Sequence, residues 1–262
     1  MLLVCEINMG ATAIGTGINA PHGYAEAVRA NLSRITGLTL ITAPDLVEAT
    51  ADTGAFVQLS GVLKRCAVKL SKICNDLRLL SSGPRAGFGE INLPPMQPGS
   101  SIMPGKVNPV IPEVVNQVCF DVIGGDMTVT MAAEAGQLQL NVFEPVIAYR
   151  LLGGMASLTN ACTVLRERCV VGITANPERM RQFVEHSIGI VTALVPVLGY
   201  EASTEIAREA LASGRGVYEL VMERGLLTRE QLDHALNPES MTAPRAVPTA
   251  KPAAKGARPV KR

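Results

Sequence analysis

Residues 45–80 read DLVEATADTGAFVQLSGVLKRCAVKLSKICNDLRLL, and this stretch decides the fold class. Its apolar side chains recur at alternating intervals of three and four residues, the a/d pattern of a helix with one buried stripe. The stripe consists of Phe56, Leu59, Leu63, Cys66, Leu70, Ile73, Leu77 and Leu80. Pro44 and Asp45 suit the first turn, and Gly83-Pro84 suits the end. We therefore expect one helix on the order of 50 Å long, which requires a bundle around it.

Two more helices are expected downstream. The first follows Asn108-Pro109, with Asn as the N-cap and Pro at the first helical position, and it runs toward a kink or break at Gly124-Gly125. The second spans roughly residues 138–171, with Pro145 as its kink. Aromatic residues make up only 3% of the chain and there is no Trp, a composition that suits close-packed helices. The sequence therefore predicts an all-α fold built on a long-helix bundle.

Changes in composition and in helical pattern, marked by glycine and proline residues, divide the chain into three parts. Residues 1–175 are expected to form a central helical-bundle domain that lacks its N-terminal part, because the chain opens directly into an apolar segment with no leading element. Residues 176–240 have shorter helical patterns and a capping box at Thr228 and Gln231, and they are expected to form a small C-terminal helical domain. Residues 241–262 are expected to be a disordered, basic, Ala/Pro-rich tail.

Composition and charge exclude several function classes. The formal net charge is +1, but six basic residues lie in the tail, so 18 basic and 23 acidic residues leave the body at about −5. A nucleic-acid role for the tail is disfavoured because it has no aromatic residues for stacking. Six cysteines without a C-x-x-C pair indicate small buried side chains in a reducing compartment. No apolar run is long enough to span a membrane and no secretory signal is evident, so we expect a cytoplasmic protein.

One loop has the residues of a binding site. Residues 98–109 read PGSSIMPGKVNP and combine hydroxyls, an ammonium group and an amide just before an expected helix start. Lys106 supplies positive charge, and the helix start supplies aligned N–H donors for an anion. From the spacing alone, a surface loop with a solvated lysine remains an alternative. Gly10, Gly15 and Gly17 do not match a phosphate-binding motif, so a nucleotide site is not expected.

The segment GSSIMPGKVNP resembles the signature of the aspartase/fumarase superfamily. The flanking segments ICNDLRLLSSGPRAGFGEINLP, VIPEVVNQV and MAAEAGQLQLNVFEPVI are similar to the aspartase branch more than to fumarase, and ITANPE, SIGIVT and MERGLLT fit the superfamily's small last domain. The resemblance runs from Glu6 to about Thr242 and covers a C-terminal portion of the family's chains. It implies removal of ammonia from L-aspartate to give fumarate without an organic cofactor. No cluster in the sequence has metal-ligand spacing, so no obligatory metal is expected.

The resemblance also implies a role for each matching residue. Ser100 is expected to be the general base that removes the proton beside a carboxylate. Glu113 is expected to orient a histidine from another part of the assembly. The substrate-binding residues of the loop are expected to be Ser101, Lys106, Val107 and Asn108.

In this superfamily the site is built from three sequence regions on three subunits of a homotetramer. A Thr/Ser-rich carboxylate loop and a Thr-His segment are not found in this sequence, and His22, His186 and His234 read as surface or interface residues. These absences fit a truncated reading frame, a split subunit whose partner is a separate N-terminal fragment, or a fragment of a longer gene, and we expect little or no activity from the chain alone. Two alternatives stay open, a fumarase-type hydration of fumarate and a catalytically incomplete subunit of a helical assembly.

Overall fold

A computed structural model of the chain describes residues 3–83, 85–97, 99 and 107–242. The fold is mostly helical, as predicted, and the strands in the described ranges are only two residues long. The chain divides into two compact units between Asn176 and Pro177. Within the described ranges no helix is both long and apolar enough to cross a membrane. The expected tail lies outside the described residues from position 243 onward.

The first unit is organised around three long helices, α3, α4 and α5. Two pairs of short strands lie beside them, β1 parallel to β2 and β3 antiparallel to β4. Its elements are β1 (Glu6–Ile7), α1 (Tyr24–Thr36), β2 (Ile41–Thr42), α2 (Glu48–Ala51), α3 (Gly54–Leu80), β3 (Ile91–Asn92), α4 (Val110–Glu134), α5 (Glu144–Arg168) and β4 (Thr174–Ala175), with 3-10 turns at Leu3–Cys5 and Val170–Gly172.

Helix α3 begins at Gly54, so the prediction of one helix from Asp45 is wrong at its N-terminal end. The Asp45 carboxylate accepts hydrogen bonds from the backbone N–H groups of Val47 and Glu48 at 2.9 and 3.2 Å, which starts the separate short helix α2. Asp52 then ends α2 in extended backbone and accepts from the N–H of Gly54 at 3.0 Å. The 27 residues of α3 make it about 40 Å long.

The most deeply buried side chains of α3 are small. The predicted apolar stripe lies beside them and is only partly covered within this chain; Phe56 is 38% exposed and Ile73 is 51% exposed. Two of the small side chains, Ala67 and Cys74, pack in one core cluster with Val115, Cys119 and Val122 of α4 and with Leu158, Ala161 and Leu165 of α5. The buried residues of α3 are Ser60, Ala67, Ser71 and Cys74.

Two further helix predictions are wrong, namely the kink or break at Gly124-Gly125 and the kink at Pro145. Helix α4 runs without a break through Gly124 and Gly125 to Glu134. Gly125 is buried, and a Cβ there would lie 3.5 Å from Cδ of Arg150, so this glycine serves the close approach of α5. Pro145 lies in the first turn of α5, where a missing N–H costs nothing, and therefore starts the helix instead of kinking it.

The glycine-rich segment after β1 is a tight connection. Gly15 has φ +88°, and a Cβ at this position would lie 2.2 Å from the Cα of Val47. Only glycine allows the backbone to pass so close to the start of α2 in that conformation. The segment therefore brings the chain past α2 toward α1.

The second unit is a small cluster of short helices. Its helices are α6 (Pro177–His186), α7 (Val191–Leu198), α8 (Tyr200–Ser213), α9 (Val217–Glu223), α10 (Arg229–Ala235) and α11 (Pro238–Thr242), with a 3-10 turn at Ile188–Ile190. Its core includes Leu194, Ile206, Leu220, Val221 and Leu232, each at most 1% exposed. The predicted capping box is confirmed, since Thr228 and Gln231 make both of its reciprocal hydrogen bonds.

Candidate active site

The candidate site is the connection between β3 and α4. Ser100, Ser101 and Lys106, which the sequence predicts as general base and substrate ligands, lie outside the described residues. Val107 and Asn108 are described and lie directly before α4, with Val107 half exposed and Asn108 partly buried. The structure therefore describes the segments that hold the two ends of this loop, which are called its frame below.

The backbone before α4 makes a three-residue turn. The N–H of Val110 donates to the carbonyl oxygen of Asn108 at 2.9 Å, and Pro109 between them has φ −79° and ψ 54°, the geometry of an inverse γ-turn. The first helical hydrogen bond runs from the N–H of Glu113 to the carbonyl of Pro109 at 3.1 Å. Pro109 thus takes the N-cap position, and the prediction that Asn108 caps the helix is wrong.

Glu113 lies in the first turn of α4 and is partly buried. A carboxylate at this end of a helix is stabilised by the helix dipole. Its backbone carbonyl accepts a hydrogen bond from Nε2 of Gln117 at 3.3 Å. No hydrogen bond in the described ranges joins its carboxylate to an imidazole, and the exposed His22 lies far earlier in the chain. The histidine-orienting role of Glu113 stays a prediction.

Asn116 fixes the start of α4 to α3, and sequence reasoning missed it. Its side chain is 2% exposed, and its Nδ2 donates to the carbonyl and hydroxyl oxygens of Ser71 at 3.1 and 2.9 Å. A guanidinium nitrogen of Arg78 donates to its Oδ1 at 3.3 Å. Because Asn116 is one turn beyond Glu113, these bonds fix the axial position and the rotation of the N-terminal end of α4, which follows the loop.

Asp126 makes a second polar link between α3 and α4. Its carboxylate is 9% exposed and accepts hydrogen bonds from Oγ of Ser60 at 2.8 Å and from Nζ of Lys64 at 2.5 Å. The hydrogen bond from Lys64 is the largest cause that lowers the pKa of Asp126, burial opposes it, and the bond from Ser60 adds to the lowering. The buried Ser60–Asp126 bond joins one position of α3 to one position of α4 and so favours a single register between the two helices.

The segment that enters the loop is fixed by the β3–β4 pair. Nδ2 of Asn92 donates to Oδ1 of Asn176 at 2.8 Å and to Oγ1 of Thr174 at 3.2 Å, while Nδ2 of Asn176 donates to the carbonyl of Gly89 at 2.8 Å. Two residues later, Pro94 packs on Gly172 so closely that a Cβ on that glycine would lie 2.5 Å from Cγ of Pro94.

The two ends of the loop meet at one crevice. Met96 before the loop and Asn108 after it line the same narrow space, together with Arg168 at the C-terminal end of α5. The end of α5 therefore serves as a common base for both ends of the loop. This arrangement places a guanidinium group, the start of a helix and a partly buried amide at the two ends of the loop.

No group of three or more His, Cys, Asp or Glu side chains in the described ranges is arranged to hold a metal ion. The thiols of Cys74, Cys119 and Cys169 are buried and free. Burial raises the pKa of Cys74 to about 11, and the neighbouring thiols add to the rise. These thiols therefore behave as core side chains, whereas Cys66 and Cys162 are exposed, contrary to the expectation of burial.

Comparison with known proteins identifies the family. Residues 2–124 match the family described as Lyase, and residues 190–243 match the family described as Fumarase C C-terminus. An aspartate ammonia-lyase from Pseudomonas canavaninivorans is 64% identical over 246 residues, which are 94% of this chain and 52% of that protein.

Two solved structures agree with this result. A fumarate lyase:delta crystallin from Brucella melitensis has a TM-score of 0.87 and 61% identity, covering 92% of this chain and 52% of that one. A class II fumarase from Schistosoma mansoni has a TM-score of 0.85 and 36% identity, covering 92% of this chain and 53% of that one.

The chain is a member of the aspartase/fumarase superfamily of lyases, of which it represents a C-terminal portion. Relatives at high identity within that superfamily are aspartate ammonia-lyases. The chain spans about half the length of the curated relatives it matches.

Proposed function

We propose that the chain takes part in an ammonia-lyase reaction that converts L-aspartate to fumarate and ammonia. The observation that carries the proposal is the 64% identity with an aspartate ammonia-lyase over 94% of this chain. The loop of residues 98–109 supplies the chemistry, with Ser100 as the base. The reaction needs no organic cofactor, and the proposed location is the cytoplasm.

The proposed chemistry begins with removal of a proton from the carbon beside one carboxylate of the substrate. A neutral serine hydroxyl is a weak base, so Ser100 acts as an alkoxide stabilised by loop amides and nearby positive charge. The electron pair left on carbon spreads into the adjacent carboxylate, and ammonia leaves from the neighbouring carbon. Lys106 and the N–H groups of the loop stabilise that doubly charged carboxylate. Ser101, Val107 and Asn108 complete the loop's contact with the substrate.

The frame supports this assignment in three places. Val107 and Asn108 lie directly before α4, and Pro109 makes a three-residue turn at the start of that helix. Asn116 fixes that helix end to α3, and Glu113 lies in the first turn of α4, between Asn108 and Asn116 in the sequence. Fixed ends for a catalytic loop lower the entropic cost of bringing base and substrate together.

The other parts of the site belong to the proposed assembly. We propose a homotetramer in which the site is shared between subunits, with the remaining regions supplied by an N-terminal segment or a separate fragment. Much of the recognition of the amino group then lies outside this chain. The isolated chain is accordingly proposed to have little activity by itself.

Fumarase-type hydration is the second candidate. It is favoured by the match of residues 190–243 to the Fumarase C C-terminus family and by the similarity to a class II fumarase. The identity to that fumarase is 36%, against 64% to an aspartate ammonia-lyase, so the elimination of ammonia is preferred. Assaying L-malate beside L-aspartate separates the two.

The experiment is a fumarate absorbance assay with L-aspartate. The purified chain is measured alone, and then as a chimera in which it replaces the matching half of an intact aspartate ammonia-lyase. Activity in the chimera with little activity in the chain alone is expected. A folded chimera that releases no fumarate, while the intact relative does so in the same assay, would contradict the proposal and favour a non-catalytic subunit.

A further inference from the structure

The second unit has an open cleft at α6, α9 and α10, far in sequence from the loop of residues 98–109. Its volume is about 520 Å³, which is within the range of small-molecule sites. The lining is polar and carries both signs of charge. The cleft is lined by Arg181, Glu185, His186, Gly216, Tyr218, Glu219, Arg229 and Asp233.

The charges of the cleft come in opposite pairs on two helices. Arg181 and Glu185 are four residues apart on α6, and Arg229 and Asp233 are four residues apart on α10, so each helix presents one cation and one anion on the same face. Tyr218 of α9 lies at the cleft, where its hydroxyl donates to Oδ1 of Asp233 at 2.9 Å.

Part of this charge is available to a ligand. In the described part of the chain, no ion pair within 4.0 Å involves Arg229 or Glu185, and Arg181 has only a long contact of 3.9 Å with Glu178. Glu219 is already bound by Arg215 at 2.8 Å, so its charge is compensated. Arg181, Arg229 and Glu185 therefore have no ion-pair partner closer than 3.9 Å among the described residues, although Arg229 also interacts with the Tyr218 hydroxyl.

We propose that this cleft binds a free α-amino acid, with the ligand carboxylate at Arg181 and Arg229 and the ligand ammonium at Glu185 and Asp233. Guanidinium groups bind carboxylates through paired N–H donors, and carboxylates bind an ammonium group through charge-assisted hydrogen bonds. The inference is independent of the proposed reaction, because it concerns different residues in a different unit.

The arrangement favours a zwitterion over ligands that carry a net charge. A dianion such as phosphate or succinate would gain from the two guanidinium groups but would face the carboxylates of Glu185 and Asp233. An organic cation would face the reverse conflict at Arg181 and Arg229. A zwitterion carries no net charge, and both of its ends have a partner.

The test uses the ring signals of tyrosine in the full-length chain. The sequence has four tyrosines, Tyr24, Tyr149, Tyr200 and Tyr218, so ring-¹³C-tyrosine labelling gives a small set of signals, and the Tyr218 signal is assigned with Tyr218→Phe. The probe is L-alanine, which lacks the second carboxylate of the proposed substrate. Saturable movement of the Tyr218 signal alone is expected, with a dissociation constant on the order of 1 mM.

Two cleft variants and two matched controls complete the test. Arg229→Gln and Glu185→Gln are expected to weaken L-alanine binding about tenfold, the effect of losing one charge-assisted hydrogen bond. Arg208→Gln and Glu201→Gln change exposed residues of α8 outside the cleft and are expected to leave binding unchanged. The other three tyrosine signals report whether each variant is folded.

Three results would overturn the proposal. The first is a Tyr218 signal that does not move with L-alanine up to roughly 50 mM, far above the expected affinity. The second is an equal response to succinate, which would make the cleft a general anion surface. The third is unchanged L-alanine binding in both cleft variants. Absence of lyase activity in the chimera would bear on the loop alone and would leave this proposal intact.

Discussion

Replacing Asp126 with asparagine tests how the long helices are held in register. The change keeps the size of the side chain and leaves an oxygen to accept from Ser60, but it removes the charge that accepts from Lys64 at 2.5 Å. A hydrogen bond to a charged group contributes about 1.5–3 kcal/mol when buried. The Lys64 side chain is 47% exposed and regains water when released, so we expect a loss of about 1–2 kcal/mol.

The assay is urea unfolding followed by far-UV circular dichroism at pH 7, combined with hydrogen exchange of peptides from α3 and α4. Asp121→Asn is the matched control, because Asp121 also lies on α4 and pairs with Arg150 at 3.4 Å, but its side chain is 72% exposed. The control is expected to change the free energy of unfolding by less than about 0.5 kcal/mol. Faster exchange in Asp126→Asn is expected in both helices.

The pH dependence follows from the lowered pKa of Asp126. A carboxyl group with a lower pKa in the folded state stabilises the fold above its unfolded pKa of about 4. That stabilisation is lost as the pH falls through the folded value. The difference between the chain and Asp126→Asn should therefore be full at pH 7 and shrink below about pH 4. Equal effects of Asp126→Asn and Asp121→Asn at pH 7 would refute the reasoning.

Three further perturbations test the frame of the loop. Asn116→Ala leaves buried partners unpaired and is expected to cost about 1–3 kcal/mol in urea unfolding, whereas Gln117→Ala on the exposed side of α4 should cost much less. Gly172→Ala forces a Cβ against Pro94 and is expected to cost about 1–3 kcal/mol in the same assay, while Gly153→Ala, with open space around it, should be neutral or stabilising. Burial raises the pKa of Cys74 to about 11, so its alkylation at pH 8 should be at least about 100-fold slower than that of the exposed thiols. Mass spectrometry of the alkylated peptides measures both rates. Alkylation of Cys74 at the rate of the exposed thiols would contradict its burial.

The sequence predicted the class of fold because helical periodicity is a local signal. The apolar spacing before Gly83 was enough to identify α3, and the punctuation near Thr228 was enough to place α10. The predictions of helix boundaries were wrong where a single side chain decides at which residue a helix begins. The Asp45 carboxylate bonds the backbone at the start of a separate short helix, and Pro145 starts α5. In the sequence alone, each of these residues also fits a longer helix.

The contacts that position the candidate site could not be predicted in the same way. Asn116 and Asp126 are polar residues inside apolar helical runs, which signals that they are unusual but not which helix contains their partners. Those partners, Ser71 and Lys64, lie 45 and 62 residues earlier in the sequence. The roles of the loop residues came from resemblance to a family, because spacing alone favoured an anion-binding loop only slightly over a solvated surface loop.

The most direct test of the central claim is the kcat for fumarate formation in the chimera, compared between Ser100→Ala and Ser213→Ala. Ser213 is exposed at the end of α8 and serves as the control. If Ser100 is the base, Ser100→Ala should lower kcat by about 10²–10⁴-fold with a similar KM for L-aspartate, and the control should keep full activity. A Ser100→Ala chimera that is folded and retains the full kcat would contradict the claim that this loop carries the chemistry.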